Sequence, residues 1–289
     1  MIQVAVVSGK GGTGKTILTA SLATLLSQDK VLIDADVDAA NLALLLSPTD
    51  RKTLEFKGMD GAVIDTESCI GCGICAEACV YDAIRKAGDI YEIVPYRCEG
   101  CGSCTIVCPE DAVSMASRIT GMIHYADTPL GPLLYGSLTP GSGNSGLLVH
   151  RLRQEAGLLR PDVPLVLIDG PPGIGCPLIS TITGIQIAIL VTEPSKSAQS
   201  DLQRLITLCR SFRVRMFLVI NRSDVNQNIT EDILRLAAEN EIMVLGTIPF
   251  DRTVLNATRQ GVPVVRMSGA ASEAIHQITQ NLSKELDQL

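Results

Sequence analysis

Eight of the ten cysteines fall into two copies of one spacing, Cys69-x2-Cys72-x2-Cys75-x3-Cys79 and Cys98-x2-Cys101-x2-Cys104-x3-Cys108. Thiolates at this spacing suit a cubane iron–sulfur cluster, because a tight turn brings three sulfurs to one cluster while the fourth cysteine points towards a neighbour. The spacing therefore predicts two 4Fe-4S clusters. Each copy runs into a similar tail, Val80-Tyr81-Asp82-Ala83-Ile84 and Pro109-Glu110-Asp111-Ala112-Val113, so the segment is an internal repeat. Zinc ribbons also use Cys-x2-Cys pairs, but a zinc site closes after four ligands. A disulfide framework needs an oxidising compartment. Met1-Ile2-Gln3-Val4 leads straight into a strand without a leader-like segment, which predicts a reducing, cytoplasmic setting.

A second chemistry stands at the start of the chain. Ile2-Gln3-Val4-Ala5-Val6-Val7-Ser8 reads as a strand, and the run from Ile17 to Ser27 reads as an apolar helix. Between them Gly9-Lys10-Gly11-Gly12-Thr13-Gly14-Lys15-Thr16 satisfies the phosphate-loop pattern G-x4-G-K-S/T in the context that pattern requires. The backbone N–H groups of Gly11, Gly12, Thr13 and Gly14 can curl around a phosphate at a helix N-terminus. Lys15 then reaches the terminal phosphate oxygens and Thr16 ligates Mg2+, so ATP or ADP with Mg2+ is expected.

The elements that must position these groups follow from length and pattern. At 289 residues and 46% apolar content the chain has room for one large α/β domain and a small insert. Strands alternate with helices in the manner of a mostly parallel sheet: Val31-Leu32-Ile33, Val166-Leu167-Ile168, Ile187 to Thr192 and Phe217 to Ile220 are apolar runs followed by helical patterns. A formal charge of −7 leaves no electrostatic footprint for nucleic acid or an anionic membrane. An aromatic content of 3% with no Trp removes stacking platforms for single strands. No apolar run approaches the roughly 18 residues of a membrane span. Ser47-Pro48-Thr49-Asp50 breaks the second helix, and Gly/Pro-rich strands resume beyond Ala116, so the expected division is an ATPase domain over 1–50 and 119–289 with an insert over 51–118.

The loop with its second lysine, Lys10-Gly11-Gly12-Thr13-Gly14-Lys15-Thr16, resembles the deviant Walker A loop of the family that includes MinD, ParA, Mrp, the nitrogenase iron protein and the CobQ/CobB nucleotide-binding domains. The resemblance continues in order. Asp34-Ala35-Asp36 looks like switch I, and Asp169-Gly170-Pro171-Pro172-Gly173 looks like Walker B running into switch II. It implies that Lys10 crosses a dimer interface to the partner's nucleotide, that Asp36 orients the attacking water, and that Asp169 holds Mg2+ through water. Asn221 and Arg222, with the Ile-Pro-x-Asp segment containing Pro249, would close the adenine pocket. Asp38 is read as a helix cap beside Asn41.

The cysteine repeat is similar to bacterial two-cluster ferredoxins, which implies crossed ligation: Cys69, Cys72, Cys75 and Cys108 for one cluster, Cys98, Cys101, Cys104 and Cys79 for the other. Val80 stands where that family has proline, leaving an extra backbone N–H near a sulfur. The whole arrangement resembles MinD-superfamily ATPases with an inserted ferredoxin domain. The implied fold is α/β, a doubly wound, mostly parallel P-loop NTPase sheet carrying an α+β ferredoxin-like insert. The implied function is ATP hydrolysis coupling dimerisation, with itself or a similar ATPase, to electron transfer towards a redox partner. A cluster-assembly carrier and a nucleotide-regulated docking module are the alternatives.

Cys176 lies shortly after the Walker B aspartate, where the nitrogenase iron protein has a cluster ligand, but this chain offers no second suitable cysteine; Cys176 is expected near the dimer interface as a sensor of nucleotide state. Ile275, Ile278, Leu282, Leu286 and Leu289 form an apolar stripe whose flanks are too acidic for a membrane-surface helix, so core packing is expected. Cys209 reads as a small core residue, and His124, His150 and His276 fit no metal-ligand spacing.

Overall fold

The computed structural model describes residues 1–288, with the side chain of Asp50 left aside. The chain opens with β1 (Ile2–Ser8), α1 (Lys15–Leu25), β2 (Lys30–Asp34), α2 (Ala43–Leu46) and β3 (Thr49–Lys57). A small unit follows: β4 (Gly61–Ile64), α3 (Ile74–Glu77), β5 (Ile84–Ala87), β6 (Ile90–Ile93), α4 (Ser103–Val107) and β7 (Val113–Ala116). The chain then returns through β8 (Ile119–Thr128), β9 (Gly131–Leu138), α5 (Ser145–Leu159), β10 (Leu165–Pro172), α6 (Cys176–Ile182) and β11 (Ile187–Thr192). It ends with α7 (Lys196–Ser211), β12 (Arg215–Asn221), α8 (Gln227–Glu239), β13 (Met243–Ile248), α9 (Arg252–Arg259) and α10 (Ala270–Leu286).

Nine strands form one sheet in the order β13-β12-β11-β1-β10-β2-β9-β8-β3. Pairing is parallel from β13 to β9, and β8 then runs antiparallel between β9 and β3. The central strands read as continuous apolar runs because both faces are covered. In β1, Ala5 and Val7 join the core beneath α5, α6, α7 and α8, while Val4 and Val6 join the opposite core beneath α1 and α10. Ile275, Ile278, Leu282 and Leu286 of α10 are buried in that second core, so the stripe is spent on packing; Leu289 lies outside the described residues. Among the described residues no helix is long and apolar enough to cross a membrane.

The unit between β3 and β8 has its own small core of Ala62, Cys75, Ile84, Cys104 and Val113. It carries two two-stranded sheets, β4 with β7 and β5 with β6. The expected boundary at residue 51 falls inside β3, which pairs with β8 as the edge of the large sheet. Its charge-rich sequence fits that place: only Leu54 and Phe56 are apolar, while Arg51, Lys52 and Lys57 guard an exposed edge.

Candidate functional site

The glycine-rich loop turns because Gly12 and Gly14 take positive φ of 77° and 94°. Gly14 is required twice over, since a Cβ there would begin 2.4 Å from Asn221 Nδ2. Gly11 and Gly12 are exposed with open space around them, leaving room for a phosphate against the N-terminus of α1. Lys15 is only 6% exposed, and burial lowers its pKa against the pull of Asp169, Asp36 and Asp34. One ammonium among three carboxylates leaves a cluster of net negative charge, which favours a divalent cation arriving together with a phosphate.

Parallel register sets Asp169 of β10 directly beside Asp34 of β2. Thr16 Oγ1 donates to Asp169 Oδ2 at 2.7 Å and Thr19 Oγ1 lies 2.9 Å from Oδ1. Hard oxygen donors gathered this closely suit Mg2+. Burial raises the pKa of Asp169, and the two hydroxyls pull it back. Asp34 is fully buried, and burial with the neighbouring Asp169 drives its pKa well up. Its carboxylate accepts the N–H groups of Asp36 (3.1 Å) and Leu42 (2.9 Å), so it ties down both ends of the loop that carries Asp36. The expected cap, Asp38, does not serve α2, which starts at Ala43 with Leu42 in the cap position and no side-chain hydrogen bond there. Asp36 is half-buried near Lys15, and its pKa is raised by burial.

The other predicted nucleotide residues adopt roles inside the protein. Asn221 donates from Nδ2 to Thr13 O at 2.8 Å and accepts the Arg222 N–H at 2.9 Å, so its amide braces the loop. Lys10 Nζ lies 2.8 Å from Glu193 Oε1 and within 3.1 and 3.3 Å of the Ser195 and Ser197 hydroxyls. The second oxygen of Glu193 takes Arg222 at 3.0 Å. Pro249 follows β13 beside the Asn221 turn, where Ser223 N donates to Ile248 O at 3.0 Å. Sequence reasoning missed Thr19, Glu193 and the anchoring role of Asp34. Only Thr19 had a local signal, a hydroxyl three residues after Thr16 on one helix face.

The cysteines gather around two hollows in the small unit. Cys69, Cys72, Cys75 and Cys108 line one; Cys79, Cys98, Cys101 and Cys104 line the other. Cys75 and Cys104 are buried and Cys72 and Cys101 exposed, and burial pushes the thiols of the buried pair up. Among the described residues no group of three or more His, Cys, Asp or Glu is placed to hold a metal ion; the two cysteine sets line separate hollows. The backbone N–H that reaches Cys79 Sγ is that of Ala83, at 3.4 Å, while Val80 is 84% exposed. Cys176 is exposed at the start of α6, and Cys209 is buried, its thiol pushed up to about 12.

A loop lysine and hydroxyl set over a strand-end aspartate define a P-loop nucleotide-binding protein. Within that class, residues 4–264 match the CobQ/CobB/MinD/ParA nucleotide-binding domain, and the chain belongs to this family, whose MinD and ParA members are ATPases. An uncharacterised protein of Methanocaldococcus jannaschii is 36% identical, covering 98% of this chain and 97% of that one. An iron–sulfur cluster carrier protein of Pyrococcus abyssi is 23% identical over 99% of this chain and 87% of its own. The septum site-determining protein MinD of Pyrococcus horikoshii, complexed with Mg-ADP, shares the fold with a TM-score of 0.60 at 18% identity, over 98% of this chain and 96% of that one.

Proposed function

We propose that this protein hydrolyses ATP and uses nucleotide-driven dimerisation to control electron flow through two 4Fe-4S clusters held by residues 58–118. The observation that carries the reading is the gathering of eight cysteines into two sets of four, each around its own space, in a chain that also carries the phosphate loop. A cubane takes a thiolate at each of four corners, so it needs sulfurs spread around a volume rather than converging on a point. Bound clusters would supply one-electron chemistry towards a redox partner protein. Lys15 neutralises charge on the terminal phosphate, Thr16 and Asp169 hold Mg2+, and Asp36 orients water. Asp34 fixes the loop that carries Asp36. Lys10 leaves Glu193 and reaches the nucleotide of the second subunit.

Anaerobically purified protein should contain about eight iron and about eight sulfide per chain. Cys108→Ser should damage the cluster of Cys69, Cys72 and Cys75 and leave the signal of the other intact; zinc in place of iron, or loss of the opposite cluster, would sink the reading. A second reading, a carrier that delivers clusters, is favoured by the exposure of Cys72 and Cys101 and by the Pyrococcus abyssi relative. It requires that the loaded protein pass iron and sulfide intact to an apo-ferredoxin.

A further inference from the structure

The two cysteine sets are not equivalent in their attachment to the rest of the molecule. The Cys98 end of the second set is fastened to the junction with the large domain. Arg118, just before β8, donates to three backbone carbonyls: Met59 at 3.2 Å, Pro95 at 2.9 Å and Cys98 at 2.6 Å. The neighbouring residue Glu99 faces the loop between β9 and α5, where a side chain on Gly143 would begin 3.2 Å from Glu99 Oε2. In the first copy of the repeat the position of Glu99 is taken by the apolar Ile70; both residues are exposed, but only Glu99 has the β9–α5 loop beside it.

The same loop touches both nucleotide-facing segments. At its start, Leu138 N donates to Val37 O at 3.4 Å, next to Asp36 in switch I. At its end, Gly146 packs so closely on α6 that a Cβ would meet Cys176 O and Ser180 Oγ at 3.1 Å each, directly after the switch II turn. Ser142 Oγ and Thr139 N both donate to Thr120 O at 2.9 Å, tying the middle of the loop to β8, two residues beyond Arg118. Closely packed backbone has little room for independent movement, so displacement of either switch is transmitted to this loop.

The geometry points to a division of labour between the cysteine sets: the set of Cys79, Cys98, Cys101 and Cys104 responds to nucleotide, through the Leu138–Gly146 loop and Arg118, while the set of Cys69, Cys72, Cys75 and Cys108 does not. This rests on the proposed cluster-bearing ATPase. Hydrogen bonding and solvation around the sulfurs set a cluster's potential, so a shift of the Cys98–Cys101 turn is felt as a change in midpoint and in spectrum. Among the described residues no comparable contact links the first set to the switches, and Ile70 on its rim is exposed.

The test uses the full chain, purified anaerobically, with iron content and nucleotide binding measured first; failure of either refutes the underlying reading rather than this inference. Cys72→Ser leaves the second cluster as the intact one and Cys101→Ser leaves the first. Each is reduced stepwise with dithionite and followed by electron paramagnetic resonance, with Mg-ADP and with a non-hydrolysable Mg-ATP analogue. The expected result is a nucleotide-dependent change in midpoint and line shape in Cys72→Ser and none in Cys101→Ser. Arg118→Ala in the otherwise unaltered chain should abolish the response while ATP turnover persists. A response in both cysteine variants, in Cys101→Ser alone, or in neither would overturn the inference, as would a full response in Arg118→Ala. If that variant loses its second cluster, the cysteine variants decide alone.

Discussion

Thr19 has one hydroxyl proton and two acceptors within reach, the Lys15 carbonyl at 3.0 Å and Asp169 Oδ1 at 2.9 Å. If Thr16 holds Mg2+ as proposed, its hydroxyl leaves Asp169 and Thr19 is the hydroxyl that keeps the carboxylate in place. Groups that orient a metal-holding carboxylate matter roughly as much as outer-shell partners elsewhere, about tenfold or more in metal affinity. Thr19→Val keeps the shape and removes the hydroxyl, so the Mg2+ concentration for half-maximal ATP turnover should rise about tenfold, and Thr19→Ser should restore it. An unchanged Mg2+ dependence in the valine variant would remove Thr19 from this role. The phosphate loop was legible because its geometry is written in consecutive residues. The role of Thr19 was not, despite its spacing from Thr16, because its partner lies 150 residues away and only the pairing of β1 with β10 brings the start of α1 beside the end of β10.

Elements carry the next layer of information, and Asp251 shows how a residue can be placed by sequence but not explained by it. It stands in the segment read as closing the adenine pocket. In the structure its Oδ1 accepts Thr253 N at 2.8 Å and its Oδ2 accepts Ala271 N at 3.0 Å, so one carboxylate caps the N-termini of both α9 and α10. Those hydrogen bonds hold its pKa below the usual carboxylate range. A carboxylate with a lowered folded pKa stabilises fully above its unfolded value, near 3.9, and loses that contribution as pH falls through the folded value. Asp251→Ala should therefore cost about 1–2 kcal/mol at neutral pH, and its urea midpoint should converge on that of the parent as pH drops below about 4. A gap that stays constant through that range would mean the carboxylate charge is not what holds the helices. The edge strand β3 eluded sequence reasoning for a related reason: with two apolar residues in nine, it is recognisable as a strand only once β8 is beside it.

At the scale of the whole molecule, the nine-stranded sheet brings Lys10, at the end of β1, against Glu193, at the end of β11, because those strands are neighbours. The family resemblance gives Lys10 a task in the opposite subunit, and nothing in the sequence marks its alternative partner. The lysine cannot do both. The pair is partly exposed, with side chains 29% and 20% accessible, so its contribution is that of a surface ion pair, about 0.5–1 kcal/mol. Dimerisation that withdraws Lys10 must overcome this amount in each subunit. Glu193→Gln keeps the shape and hydrogen bonding to Arg222 but removes the charge, and so should lower the protein concentration needed for Mg-ATP-dependent dimerisation by about two- to fivefold per released lysine. Lys10→Ala should raise it. Sedimentation velocity in Mg-ATP at two salt concentrations measures both effects, and the advantage of the glutamine variant should shrink at high salt, where the parental ion pair is already screened. If Glu193→Gln dimerises at the parental concentration or above it, Lys10 is not held back by Glu193.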